Sequence, residues 1–133
     1  EMTSSLVGSE MCIRDRVYAV ELKSSGSLIG LLGFHWADFK ADFTPCVEIG
    51  WRLVPEAWGH GYATEGARAC LEHGFARLGL DRVYSFTACV NLPSQAVMQR
   101  AGMRKTAEFN HPKVAPDSVL YPHVLYVREA SHA

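Results

Sequence analysis

No pair of cysteines in this chain sits at CxxC spacing, no apolar run is long enough to cross a bilayer, and neither sign of charge is in excess. Each absence narrows the field. Cys12, Cys46, Cys70 and Cys89 are scattered without regular spacing, which argues against a zinc site or a disulfide framework. They read as small buried hydrophobes in a reducing, cytoplasmic setting. The longest apolar stretches, such as Leu28 to Trp36, fall far short of a membrane span, so no membrane partner is expected. No charged segment with a following apolar run opens the chain, and no secretion signal is expected. Thirteen Lys and Arg against fourteen Asp and Glu leave a net charge of −1, without the basic excess of a nucleic-acid binder. The histidines form no HExxH or other ligand set, and no metal is expected.

What is present suits one globular domain: 133 residues, 48% hydrophobic and 20% charged. Residues 1–16 stand apart, showing neither helical nor strand periodicity. Ser5 to Arg16 resembles translated sequencing-adapter sequence. The expectation is a non-native segment over 1–16, a partial domain over 17–133, and natural N-terminal elements that are missing. A genuine, poorly ordered N-terminus is the other reading.

From Val17 the pattern is regular. Val17 to Lys23 and Leu28 to Trp36 are strand-like around a Ser-Ser-Gly-Ser turn, predicting a hairpin. From Cys46 to Val54, Val47, Ile49, Trp51 and Leu53 share one face while Glu48, Gly50 and Arg52 share the other. From Gly61 to Gly79 the period becomes helical, with Ala63, Ala67, Cys70, Leu71, Gly74 and Leu78 on one stripe. Val83 to Val90 predicts a strand. A short helix follows to Arg100, with Asn91 as its cap and Pro93 in its first turn. Met103 to Phe109 and His123 to Arg128 predict two closing strands. Early hairpins followed by crossovers imply an α/β fold on a mixed sheet, antiparallel at first and parallel around the long helix.

The informative local feature is Trp58-Gly59-His60-Gly61-Tyr62-Ala63-Thr64, between a strand and a helix. Two glycines let the backbone approach a ligand closely, and the helix start presents free N–H groups and a positive dipole end. A pyrophosphate fits such a place. A merely structural turn is the plain alternative. A dinucleotide-binding turn fails because Thr64 replaces the third glycine and Asp81 precedes its strand instead of ending it. A P-loop fails because no Gly-Lys-Ser/Thr follows.

Val47-Glu-Ile-Gly-Trp-Arg-Leu-Val-Pro-Glu-Ala-Trp-Gly-His-Gly-Tyr-Ala-Thr-Glu65 resembles the acetyl-CoA-binding motif of the GNAT superfamily. Leu78 to Val83 and Asn91 to Met103 are similar to the branch containing the ribosomal-protein N-terminal acetyltransferases. The resemblance covers roughly residues 17 to 128. It implies a centrally splayed sheet with acetyl-CoA as co-substrate in the gap, and a primary amine as acceptor, on a small molecule or a protein N-terminus. It also allows a homodimer. Carried over by position, the amides of Gly59, His60, Gly61, Tyr62, Ala63 and Thr64 would hold the pyrophosphate. The backbone of Trp51 to Val54, Leu53 included, would pair with the pantetheine arm, and Asn91 would contact that arm from the opposite wall. One departure is Glu56, where the superfamily prefers Gln or Arg.

Acetyl transfer needs a neutral amine, a stabilised oxyanion and help for the leaving thiolate. Glu48 is the candidate base, because partial burial on the polar face of an apolar strand would suit it to that work. A surface or salt-bridged carboxylate is the alternative. Many relatives carry a tyrosine seven positions after the equivalent of Asn91, where this chain has Met98. Ser94 is the nearest hydroxyl and the candidate donor, against a plain helix-capping role. His111 and His123 flank the late loop, where acceptors often lie in the family. A fragment that holds CoA without turning it over is the alternative function.

Overall fold

Alternation carries the first half of the chain into sheet. In the computed structural model, which describes residues 2–7 and 16–130, the predicted hairpin forms from Arg16–Leu22 (β2) and Leu28–Ala37 (β3). Its turn is closed by Leu22 N–H on Ser27 C=O at 3.0 Å and Gly26 N–H on Leu22 C=O at 2.7 Å. Cys46–Leu53 (β4) pairs antiparallel with β3 over its whole length. Tyr62–Ala76 (α1), Arg82–Ala88 (β5), Leu92–Arg100 (α2), Arg104–Asn110 (β6) and Pro122–Glu129 (β7) complete the predicted order.

The boundaries shift for local reasons. Helix α1 stops at Ala76, short of the expected Gly79, whose left-handed φ of 71° turns the chain out while Leu80 N–H bonds Gly74 C=O. Strand β5 ends at Ala88, because Asn91 N–H folds back onto Ala88 C=O before α2.

Met2–Val7, expected to be irregular, forms a strand (β1) antiparallel to β2. A sheet edge offers main-chain donors and acceptors that need no side-chain alternation, which is why the pattern does not reveal such a strand. Of the rest of the expected non-native segment, Arg16 opens β2, while residues 1 and 8–15, Cys12 included, lie outside the described residues.

The sheet runs β1-β2-β3-β4-β5-β7-β6, with β4 and β5 its one parallel pair. Helix α1 buries the predicted stripe of Ala67, Cys70, Leu71 and Gly74 against Phe34 and Ile49. Full burial of a side chain such as Leu71 is worth roughly 1.5–3 kcal/mol. Glycine at 74 is required by closeness: a Cβ there would come within 2.7 Å of the Phe34 ring. Burial pushes the Cys70 thiol up to about 12, and the Cys46 thiol up to about 11 with the charge of Glu48 adding to it. Both behave as inert core groups.

The sheet splits at its centre. Where β3 and β4 are bridged throughout, β4 and β5 share a single register, Glu48 opposite Tyr84. One residue further on, buried Ser85 donates from Oγ to the C=O of Ile49 at 2.9 Å, satisfying a carbonyl the diverging strand no longer reaches. Ser85→Ala would leave that acceptor buried and unpaired. We expect a loss of about 1–3 kcal/mol, read as a lower urea midpoint.

The sheet face away from α1 carries an aromatic cluster over β5, β6 and β7. Phe39 and Phe43 come from the loop after β3 and meet Phe86, Phe109, His111 and His123. Centroids lie 4.4 Å apart for Phe39–His111 and 5.0 Å for His111–His123. Desolvation, then His123, then Lys113 hold the His111 pKa below its ordinary 6.5. The unfolded imidazole therefore binds protons more readily than the folded one. The associated stability is fully present above about pH 6.5 and drains as pH falls below it. Between about pH 7.5 and about pH 5.5, the urea midpoint should fall further in the native chain than in His111→Gln.

Candidate functional site

The site begins with the phase of β4. Val54 N–H bonds Ile29 C=O at 2.8 Å, and Gly30 registers with Leu53. By antiparallel alternation, the main-chain groups of Glu48, Gly50 and Arg52 then point to β3, and those of Ile49, Trp51 and Leu53 point to the opposite edge. On that edge Ile49 C=O is taken by Ser85, and Leu53 C=O accepts the Trp58 indole N–H at 2.9 Å. The N–H groups of Trp51 and Leu53 are left facing the side where β5 has diverged.

The chain leaves β4 through a short 3-10 turn, Pro55–Ala57, anchored by buried Ala57. The two glycines follow in left-handed backbone, Gly59 at φ 78° and Gly61 at φ 79°. Gly61 is the N-cap of α1 and brings no side chain to cover the first turn. Among the described residues, the amides of Gly59 to Thr64 donate to no protein acceptor. Together with the helix dipole they form a concentrated patch of positive potential.

Helix α2 supplies the facing wall. Asn91 caps it, accepting from Ser94 N–H at 3.3 Å while its own amide donates to Thr87 Oγ1 at 3.0 Å. The cap is as the sequence predicts. Between this wall, β4 and the glycine turn lies a cleft of about 540 Å³, within the range that holds a small-molecule ligand.

Trp51, Leu53, Gly59, Gly61, Tyr62, Ala63, Thr64, Asn91 and Ser94 all line this cleft. Val54 and His60 lie outside the lining, and the His60 ring stacks on Tyr62 at 5.2 Å. Glu48 is also outside it, half-buried on the sheet face away from α1 and in register with His35 and Tyr84. It stands at the last bridged position before the split, so it borders the opening without lining the cleft. Glu56 is exposed and outside the lining, and Met98 is buried in the core.

Arg52, inside the expected run Trp51 to Val54, also lines the cleft, whereas sequence reasoning missed Trp58, Val97 and Arg100. Trp58 had a signal, an aromatic residue set directly before the glycine pair; Arg100 had only its place as the last cation of α2. Among the described residues no three His, Cys, Asp or Glu side chains gather as metal ligands, and no helix is long and apolar enough to cross a membrane.

Comparison with known proteins agrees with this geometry. Residues 4–104 match the family profile described as an acetyltransferase (GNAT) domain. The chain is 36% identical to an uncharacterized N-acetyltransferase, YnaD, of Bacillus subtilis over 92 residues, 69% of this chain and 52% of that protein. It is 41% identical to the FsC-acetyl coenzyme A-N(2)-transacetylase of Aspergillus fumigatus over 71 residues, 53% of this chain and 29% of that protein. A GNAT-family acetyltransferase crystal structure from Bacillus anthracis superposes with a TM-score of 0.69 at 31% identity, covering 85% of this chain and 65% of the other. The chain thus spans about half the length, or less, of these curated relatives.

Proposed function

The chain belongs to the GNAT acetyltransferase family, and from that premise we propose that it binds acetyl-CoA in the cleft and transfers the acetyl group to a primary amine. The observation that carries this reading is the run of unpaired amides from Gly59 to Thr64 at the start of α1. A diphosphate supplies the acceptors those donors lack. The apolar walls of Trp51, Leu53 and Val97 then suit the pantetheine arm, which pairs with the open N–H groups of Trp51 and Leu53 as an added strand would.

The thioester comes to rest near the split. There a main-chain N–H of β4 polarises its carbonyl and stabilises the oxyanion that develops on attack. The acceptor approaches from the sheet face that carries Glu48. Its nitrogen attacks the carbonyl carbon, the C–N bond forms, and Glu48 takes the amine proton. The C–S bond then breaks, and Ser94 Oγ, on the α2 wall, donates a hydrogen bond to the departing thiolate. Either a small-molecule amine or a protein N-terminal amine fits this scheme, and the resemblance to the ribosomal-protein branch supports keeping the second.

A second reading, a module that holds CoA without turnover, draws on the position of Glu48 outside the cleft lining. Two measurements on the chain separate the readings: calorimetry with acetyl-CoA, and thiol release with a panel of amine and peptide acceptors. Binding with acceptor-dependent thiol release supports transfer. Binding with no release across the panel supports the module, and no binding at all removes both.

A further inference from the structure

We propose that Ser85 is a positioning residue: its hydroxyl ends the β4–β5 ladder at Glu48 and Tyr84 and so keeps the Trp51 N–H open for the arm of acetyl-CoA. The use of that N–H by the arm rests on the acetyl-CoA reading above; the end of the ladder does not.

The phase of the two strands defines the rung that would come next. The main-chain groups of Ile49, Trp51 and Leu53 face β5, as the bond from Val54 N–H to Ile29 C=O requires. On β5, the bond from Cys89 N–H to Pro122 C=O at 2.9 Å turns the odd-numbered residues toward β7, leaving Tyr84, Phe86 and Ala88 to face β4. Beyond the Glu48–Tyr84 register, a regular parallel ladder would join Phe86 N–H to Ile49 C=O and Trp51 N–H to Phe86 C=O. Both bonds belong to one rung, and the second would consume a donor that the cleft presents.

The strands stop short of that rung, because its first acceptor is taken. Ser85 Oγ donates to Ile49 C=O at 2.9 Å, and the residue is only 2% exposed. The rung after it is withdrawn from the other side. Ala88 C=O, which would accept Leu53 N–H, accepts Asn91 N–H at 2.9 Å instead. That second block is made by backbone, whereas the first hangs on one side chain. Trp51 and Asn91 both line the cleft that the divergence opens.

Removing the hydroxyl changes the partner that Ile49 C=O can find. The donor in line for the unpaired carbonyl is Phe86 N–H. Drawing β5 in to make that bond closes the rung and takes Trp51 N–H with it. The fold still loses stability, because β5 must shift against the packed core around Val83. A chain that is less stable overall yet better protected at two amides is not what general loosening produces.

Amide hydrogen exchange read by NMR, with calorimetry against acetyl-CoA, tests this on the native chain, Ser85→Ala, Ser85→Thr and Val83→Ala. Val83, fully buried on the same strand and the same side, controls for lost packing. In the native chain the Trp51 and Phe86 amides should exchange as unpaired groups do. In Ser85→Ala both should slow by roughly tenfold, and acetyl-CoA should bind roughly five- to tenfold more weakly, the order of one lost hydrogen bond. Ser85→Thr keeps the hydroxyl and should keep native exchange and affinity. Val83→Ala should quicken exchange across the sheet with affinity unchanged. Protected Trp51 and Phe86 amides in the native chain overturn the proposal without any variant, and so does unchanged or faster exchange at both in Ser85→Ala. Slower exchange with undiminished affinity overturns the positioning role, since the arm then makes no use of Trp51 N–H. Binding to none of the chains, with the exchange contrast intact, removes the acetyl-CoA reading and leaves Ser85 as the end of the ladder.

Discussion

Gly61→Val should lower acetyl-CoA affinity by about two orders of magnitude, near 2.8 kcal/mol, while the chain stays folded. Two costs arise, and they fall in different places. Gly61 holds φ at 79°, a left-handed backbone that charges a β-branched residue about 1–2 kcal/mol in stability. No protein atom lies within 4 Å of the Cβ position, so the new side chain meets no protein wall. It stands instead in the cleft, beside amides that have no protein acceptor. The diphosphate would lose both access to the N–H groups and the space it occupies.

Gly79 provides the matched control. It has φ 71°, no neighbour within 4 Å of its Cβ position, and no place in the cleft lining. Gly79→Val should carry the same backbone strain with acetyl-CoA affinity unchanged. Calorimetry beside urea denaturation reads both terms for both variants. Equal losses of affinity at 61 and 79 would mark the effect as a general disturbance of the fold. Undiminished affinity at 61 would remove the diphosphate from the turn.

That control is available because the turn is local, and local features are what the sequence displays. Alternation from Val47 to Leu53 marked the strand that lines the cleft, and the stripe through Ala67, Cys70, Leu71 and Gly74 marked the buried side of α1. The Asn91 cap could be read from three residues. The split could not. Ser85 sits on the core-facing side of its strand, yet a lone serine among strand residues reads equally well as solvent-facing; only the departure of β4 gives its hydroxyl a buried partner. Arg100 belongs to the cleft only through the packing of α2 beside α1, which no spacing within α2 reports. The aromatic cluster draws Phe39, Phe86 and Phe109 from separate segments. Strand β1 escaped because Met2–Val7 shows no periodicity that marks its pairing with β2. In each case the missing information is a contact between residues distant in the chain.

Replacing Glu48 tests the chemistry apart from the binding. Glu48→Gln keeps the shape and hydrogen-bonding reach of the side chain and removes its ability to accept a proton. Since Glu48 lies outside the cleft lining and on the far face of the sheet from the glycine turn, acetyl-CoA affinity should not change. The rate of transfer should fall by about 10²–10⁴, the usual contribution of a positioned general base. The loss should appear in kcat and in kcat/KM alike, as expected of an interaction made in the transition state. If Glu48→Gln turns over at the native rate, the amine loses its proton to water or to another group. The split would then serve only to admit the thioester.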